Sequence, residues 1–269
     1  MPDQPRPLPV SSSLPPQFAP EQEKLFRAVL LILNERNVPY AVSGAFALHE
    51  HTGIWRDTKD LDVFMAADQG KRTLEILQEH GFTIEITDPV WLCKIRQGDY
   101  YVDLISGMSN AVIRVDQSWI DRGLDAEVLG VPARVLAPEE LIASKIFVTF
   151  RERFDGADIA HVIYAAGDRM DWDRLLSLAG EHWQMLFWAL VLFHYVYPSS
   201  HAVPMPVWND LIARFRAELD RPDSGAPFRG SLVDEKMFAI DVAEWKLNNV
   251  VDEYRERAEP KMEIVDPAA

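Results

Sequence analysis

The stretch Asp60-Leu61-Asp62-Val63-Phe64 sets two acids one residue apart inside an apolar run. Apolar and polar residues alternating with period two describe a strand, where residues i and i+2 share a face. Asp60 and Asp62 then project side by side, and Leu61 and Val63 turn to a core. Two carboxylates so placed raise each other's cost of ionisation unless a cation neutralises them. A divalent ion such as Mg²⁺, bound by oxygen ligands, is one answer. A solvated strand end is the other, because so short a pattern recurs by chance.

Three neighbouring features bear on that choice. The strand-like run Tyr100-Tyr101-Val102-Asp103-Leu104-Ile105 carries a single acid, and an acid on a strand fit for burial needs a partner. Ser43-Gly44 stands where a strand gives way to a helix, and a glycine there lets backbone N–H groups approach a phosphate at the helix N-terminus. Lys145 lies on the next long helical run, placed to meet phosphate oxygens as a point charge. Each has a plain alternative: a turn for Gly44 and a solvated helix face for Lys145.

The remaining pattern outlines an α/β fold with a mixed sheet core, flanking helices and a mainly helical C-terminal region. Residues 1–20 are rich in Pro and Ser, lack the apolar stretch of a signal peptide, and read as a flexible tail. Residues 21–137 interleave helical and strand patterns. The helix after Glu21 comes first. Strands follow at 38–43, 61–66, 82–87, 91–97 and 100–107, with a turn at Gln97-Gly98-Asp99. A hairpin turns near Gly130. From Pro138 to 269 helices dominate. The first of them opens with Pro138, Glu139 and Glu140, a strong start signal, and is expected to run through residue 153. A second long helix is expected over 171–197.

Taken together, these residues resemble the DNA polymerase beta-like nucleotidyltransferase superfamily. The run Ser43-Gly44-Ala45 followed by Asp60-Leu61-Asp62 resembles its Gly-Gly/Ser … Asp-x-Asp signature, and Asp103 falls where its third carboxylate is expected. Residues 139–162, with Lys145, Arg151, Asp155 and Asp158, further resemble the Lys … Arg … Asp-x-x-Asp segment of the AbiEii-like branch, which includes toxins of toxin–antitoxin pairs. The resemblance covers residues 38 to about 165. It implies Mg²⁺-dependent transfer of a nucleoside monophosphate from an NTP such as ATP to a hydroxyl acceptor, with release of pyrophosphate. Asp60, Asp62 and Asp103 would hold the metal, with Asp103 alternatively the base for the attacking hydroxyl. Ser43, Gly44, Thr58 and Lys59 would touch phosphates, Lys145 would neutralise them, and Arg151 and Asp158 would line the nucleotide pocket.

Other residues read more plainly. His49 and His51 are i and i+2, the wrong spacing for zinc ligands on a helix. His161 reads as packing and Cys93 as a small buried hydrophobe. The aromatic stripe Trp183, Phe187, Trp188, Phe193 and Tyr195 reads as core, and Arg151, Arg153, Asp155 and Asp158 as surface ion pairs. The apolar run 185–198 is too short to span a membrane and reads as a buried helix or a homodimer face. A single cysteine excludes an intramolecular disulfide, so a reducing, cytoplasmic compartment is expected. The charge of −15 argues mildly against an RNA acceptor such as a tRNA end, and mildly for a protein or a cationic small molecule such as an aminoglycoside or lincosamide. A non-catalytic nucleotide-binding or protein-interaction scaffold is the competing class, against which three intact acids count.

Overall fold

The alternation around Asp62 resolves into the middle of a sheet. A computed structural model of the chain describes residues 14–262 and divides them into two units, one of residues 14–137 and 254–262, the other of residues 138–253. Residues 1–13 of the expected tail lie outside the described residues. Beyond them, Phe18 packs edge-on against Phe26 at 5.3 Å and stacks on Phe46 at 6.0 Å.

The first unit runs α1 (Pro20–Glu35), β1 (Ala41–Val42), α2 (Gly44–Thr52), β2 (Leu61–Phe64), α3 (Gly70–Glu79), β3 (Thr83–Asp88), β4 (Leu92–Gln97), β5 (Tyr100–Ile105), α4 (Gln117–Asp121), β6 (Leu124–Val128) and β7 (Val131–Val135). The strands form one mixed sheet in the order β3-β4-β5-β2-β1-β7-β6. β2 runs parallel to β5 and antiparallel to β1. Both neighbours fix its register, and Leu61 and Val63 are fully buried. The apolar stripe of α1, Leu25, Phe26, Val29, Leu30 and Leu33, is likewise fully buried, each side chain contributing about 1.5–3 kcal/mol. The β6–β7 hairpin turns through Leu129 and Gly130, both at positive φ, as a two-residue turn between twisted strands requires. Cys93 is fully buried against Met262, with its sulfur 3.3 Å from the Met262 Sδ. Burial, helped by Asp88, pushes its thiol up to about 12.

The second unit departs from its expected helices in two places. The helix that opens at Pro138 ends after one and a half turns, as α5 (Pro138–Ala143), and residues 144–154 form turns and a two-stranded hairpin, β8 (Thr149–Phe150) and β9 (Arg153–Phe154). The Ser144 hydroxyl donates to the Leu141 carbonyl at 2.8 Å, which competes with helix continuation, and the following Val148, Thr149 and Phe150 favour extended backbone. Lys145 therefore lies in the turn after the helix, not on it. The helix expected over 171–197 is broken at Gly180 (φ +52) into α7 (Trp172–Ala179) and α8 (Trp183–Val196), following α6 (Gly156–Ala166). Residues Trp172–Val196 together are long and apolar enough to cross a membrane by composition. The break leaves α8 with 14 residues, short of the ~20 a span needs. The aromatic stripe is only partly core: Trp183 and Phe193 are buried, whereas Trp188 is 46% and Tyr195 82% exposed.

The acids and lysine expected at the surface of this unit are buried. The Lys145 Nζ donates to Asp155 Oδ2 at 2.5 Å and to Asp158 Oδ2 at 3.0 Å, and all three residues are under 9% exposed. Burial works against the Asp155 carboxylate, but the Arg153 hydrogen bonds and the Lys145 charge outweigh it and hold the group below the usual range. Glu140, fully buried, accepts from Arg174 at 2.9 Å, and Glu139 accepts the Asp171 N–H at 2.6 Å, so the helix-start acids also tie α5 to α7. Removing Lys145 would take the shared cation from two buried carboxylates, leaving Asp155 to its Arg153 hydrogen bonds. Lys145→Ala is expected to lower the free energy of unfolding by about 3–5 kcal/mol, read by denaturant titration. A loss below about 1 kcal/mol, as for a surface lysine, would contradict the burial of this cluster.

Candidate active site

Asp60, Asp62 and Asp103 converge in the first unit. One carboxylate oxygen from each lies within 4.8 Å of the other two. Two of the acids owe this to strand register: Asp62 on β2 and Asp103 on β5 are direct partners in the parallel pair. Asp60 stands one residue ahead of β2, in a bend, where a strand position was expected. Thr58 fixes it there, its hydroxyl donating to the Asp60 carboxylate at 2.9 Å and to the Asp60 carbonyl at 3.1 Å. Gln22, buried on α1, donates to the Lys59 carbonyl at 2.8 Å and anchors the same segment from behind.

Ser43 and Gly44 close the site from the β1–α2 turn. The Ser43 N–H donates to the Asp62 carbonyl at 2.9 Å, and the residue is buried. Gly44 has φ +58, and a Cβ built on it would lie 2.0 Å from Asp62 Oδ2. The glycine therefore does two things: it takes a left-handed conformation, and it leaves the space that the Asp62 carboxylate fills. His51 ties the far end of α2 to the sheet through its ring contact with the Leu136 carbonyl at 2.8 Å. His49 stacks on Trp55 at 4.0 Å.

Sequence reasoning overlooked Lys94. It is the direct partner of Asp103 across the antiparallel β4–β5 pair. Its Nζ donates to Asp103 Oδ1 at 2.6 Å and sits 3.7 Å from the centre of the Tyr101 ring. A signal was present. The two-residue turn Gly98-Asp99 sets Gln97 against Tyr100, and counting back three residues on each strand sets Lys94 against Asp103. The Asp103 carboxyl is pushed above the ordinary aspartate range. Burial is the main cause; the Lys94 hydrogen bond and charge oppose it, and the Asp60 charge adds to it.

The donor set fits a hard divalent cation. Three carboxylates offer only oxygen, the ligand type that Mg²⁺ takes, and they lie close enough to share one ion. A cation at these oxygens would favour the ionised form of Asp103 and offset the mutual repulsion. The other residues expected at the site are distributed as follows. Lys59 is exposed beside Asp60. Lys145 and Asp158 meet in the buried cluster of the second unit, and the Arg151 backbone N–H donates to Asp234 Oδ2 at 3.2 Å.

A family model described as "Nucleotidyl transferase of unknown function (DUF2204)" matches residues 22–176, more than half of the chain, and the chain belongs to that family. No curated protein matches it. Among solved structures, the solution structure of the antibiotic-resistance factor ANT(2'')-Ia is similar at 18% identity, covering 65% of this chain and 97% of its own, with a TM-score of 0.43. The lincosamide antibiotic adenylyltransferase LnuA, bound to lincomycin, is similar at 15% identity over 54% of this chain and 98% of its own, with a TM-score of 0.38. JHP933 from Helicobacter pylori is similar at 18% identity over 67% of this chain and 81% of its own, with a TM-score of 0.37.

Gly44→Ala separates backbone strain from the loss of space. Gly53 also has positive φ, at +71, but nothing lies within 4 Å of its Cβ position. Gly44→Ala is expected to destabilise the chain by at least about 1 kcal/mol more than Gly53→Ala, measured by thermal unfolding. Equal effects would mean that Asp62 does not occupy the space beside Gly44.

Proposed function

We propose that this nucleotidyl transferase of the DUF2204 family moves a nucleoside monophosphate from an NTP, such as ATP, to a hydroxyl acceptor in a Mg²⁺-dependent reaction. The observation that carries the reading is the convergence of Asp60, Asp62 and Asp103 beneath the Gly44 turn. Asp60, Asp62 and Asp103 would hold the divalent ion. When bound, that ion neutralises triphosphate oxygens and the charge that builds on the leaving pyrophosphate.

In the proposed step the acceptor oxygen attacks the α-phosphorus. A P–O bond to the acceptor forms, the bond from the α-phosphorus to its bridging oxygen breaks, and pyrophosphate leaves with the electron pair. Where Asp103 is not a ligand of the ion it takes the hydroxyl proton as base; where it is, the proton passes to solvent. Lys94 holds the Asp103 carboxylate in position. Gly44 offers its backbone N–H and Ser43 its hydroxyl to a phosphate, and Thr58 and Lys59 stand beside Asp60 for the same purpose. Positioning and charge neutralisation supply most of the rate in such transfers. The roles of Lys145, Arg151 and Asp158 toward the nucleotide rest on the family resemblance.

The acceptor class follows from charge. A chain with a net charge of −15 repels polyanions, which favours a cationic small molecule or a protein hydroxyl over a tRNA end. A role as the toxin of a toxin–antitoxin pair remains compatible with a protein or tRNA acceptor. A cytoplasmic chain without membrane association, self-associating through the exposed face of α8, completes the proposal.

Transfer of label from each of four α-labelled NTPs, with cell extract as acceptor, tests this reading. The wild-type chain is expected to label an acceptor only with Mg²⁺ present. Asp62→Asn is expected to lower the rate at least about a hundredfold while leaving thermal unfolding close to wild type. Label transfer by Asp62→Asn at the wild-type rate would place the chemistry elsewhere. Nucleotide binding without transfer under any of these conditions would favour the scaffold reading.

A further inference from the structure

We infer that Lys94 acts as a resident counter-cation that limits the acidic site to one divalent ion in the absence of nucleotide. The inference rests on the proposed metal role of Asp60, Asp62 and Asp103 and deepens it. Three ionised carboxylates carry a charge of −3 within a few ångströms. The ammonium of Lys94 reduces that to −2, the charge that one divalent ion neutralises.

The geometry fixes Lys94 in this role. Its β-strand register aims it at Asp103, its Nζ binds Oδ1 at 2.6 Å, and the face of Tyr101 backs it at 3.7 Å. Both partners of the pair are largely shielded, with side chains 16% and 12% exposed, so water screens the interaction little. A carboxylate has two oxygens. With Oδ1 held by Lys94, Asp103 can offer Oδ2 to an ion shared with Asp60 and Asp62. A second ion at Asp103 would have to displace the ammonium from both the carboxylate and the ring. Lys94 is thus a positioning residue: it orients Asp103 and sets how many cations the acids accept before a triphosphate brings further negative charge.

Direct titration with Mn²⁺ alone tests this. Bound ion is counted from the loss of the free-ion electron paramagnetic resonance signal, on the full chain without nucleotide. The amount bound by Asp62→Asn is subtracted to remove ions scattered over the acidic surface. The wild-type chain is expected to bind one Asp62-dependent ion. Lys94→Met, which keeps the length and packing of the side chain without its charge, is expected to bind two. Lys94→Arg, which keeps the charge, is expected to stay at one. Thermal unfolding accompanies each variant, and Lys94→Gln replaces Lys94→Met if the latter does not fold. One ion in both wild type and the uncharged variant would overturn the inference while leaving the metal site intact. No Asp62-dependent ion in either chain would overturn both.

Discussion

Mutual repulsion among three carboxylates is the constraint on which the first unit turns. Asp62 and Asp103 face each other because β2 and β5 pair in parallel, and a one-residue slip of β2 would turn Asp62 away from Asp103 and bring Leu61 and Val63 out of the core. The fully buried Leu61, Val63, Val102 and Leu104 hold that register. Hydrophobic burial therefore stabilises an arrangement that electrostatics alone would push apart. Thr58, Gly44 and Lys94 then set the finer geometry: one pins Asp60, one leaves room for Asp62, and one pairs with Asp103.

Much of this was legible in the sequence because it obeys local rules. Period-two alternation located β2, a run of strand-forming residues located β5, and the Gly130 turn located the β6–β7 hairpin. The lone acid in an apolar strand singled out Asp103. What the sequence did not disclose depends on contacts between distant residues or on competition within a short segment. Gln22 reaches Lys59 across 37 positions, a contact with no sequence pattern. Asp60 follows the strand's alternation yet sits just before β2, since its hydrogen bond from Thr58 favours a bend. Lys94 was recoverable from the hairpin register, but only by treating the Gly98-Asp99 turn as a ruler for the strands on either side.

The second unit shows where helical periodicity misleads. Residues 138–153 have a good start signal and helical apolar spacing, yet the helix stops at Ala143. The ion cluster of Lys145, Asp155 and Asp158 brings the segments on either side of the β8–β9 hairpin together, and a single continued helix could not place these groups in contact. Such a cluster is costly to bury unless its charges are paired, and here one lysine pairs with both acids. Gly180 interrupts the later run in the same way, by a left-handed backbone that no helical periodicity announces.

The central claim is that Asp60, Asp62 and Asp103 together bind the divalent ion on which transfer depends. Anomalous diffraction from crystals grown with Mn²⁺ and a non-hydrolysable NTP addresses it most directly. The account predicts a strong manganese peak at roughly 2.0–2.3 Å from oxygens of these three carboxylates, with triphosphate oxygens completing the coordination. A well-occupied manganese peak on the nucleotide but away from all three acids would contradict it.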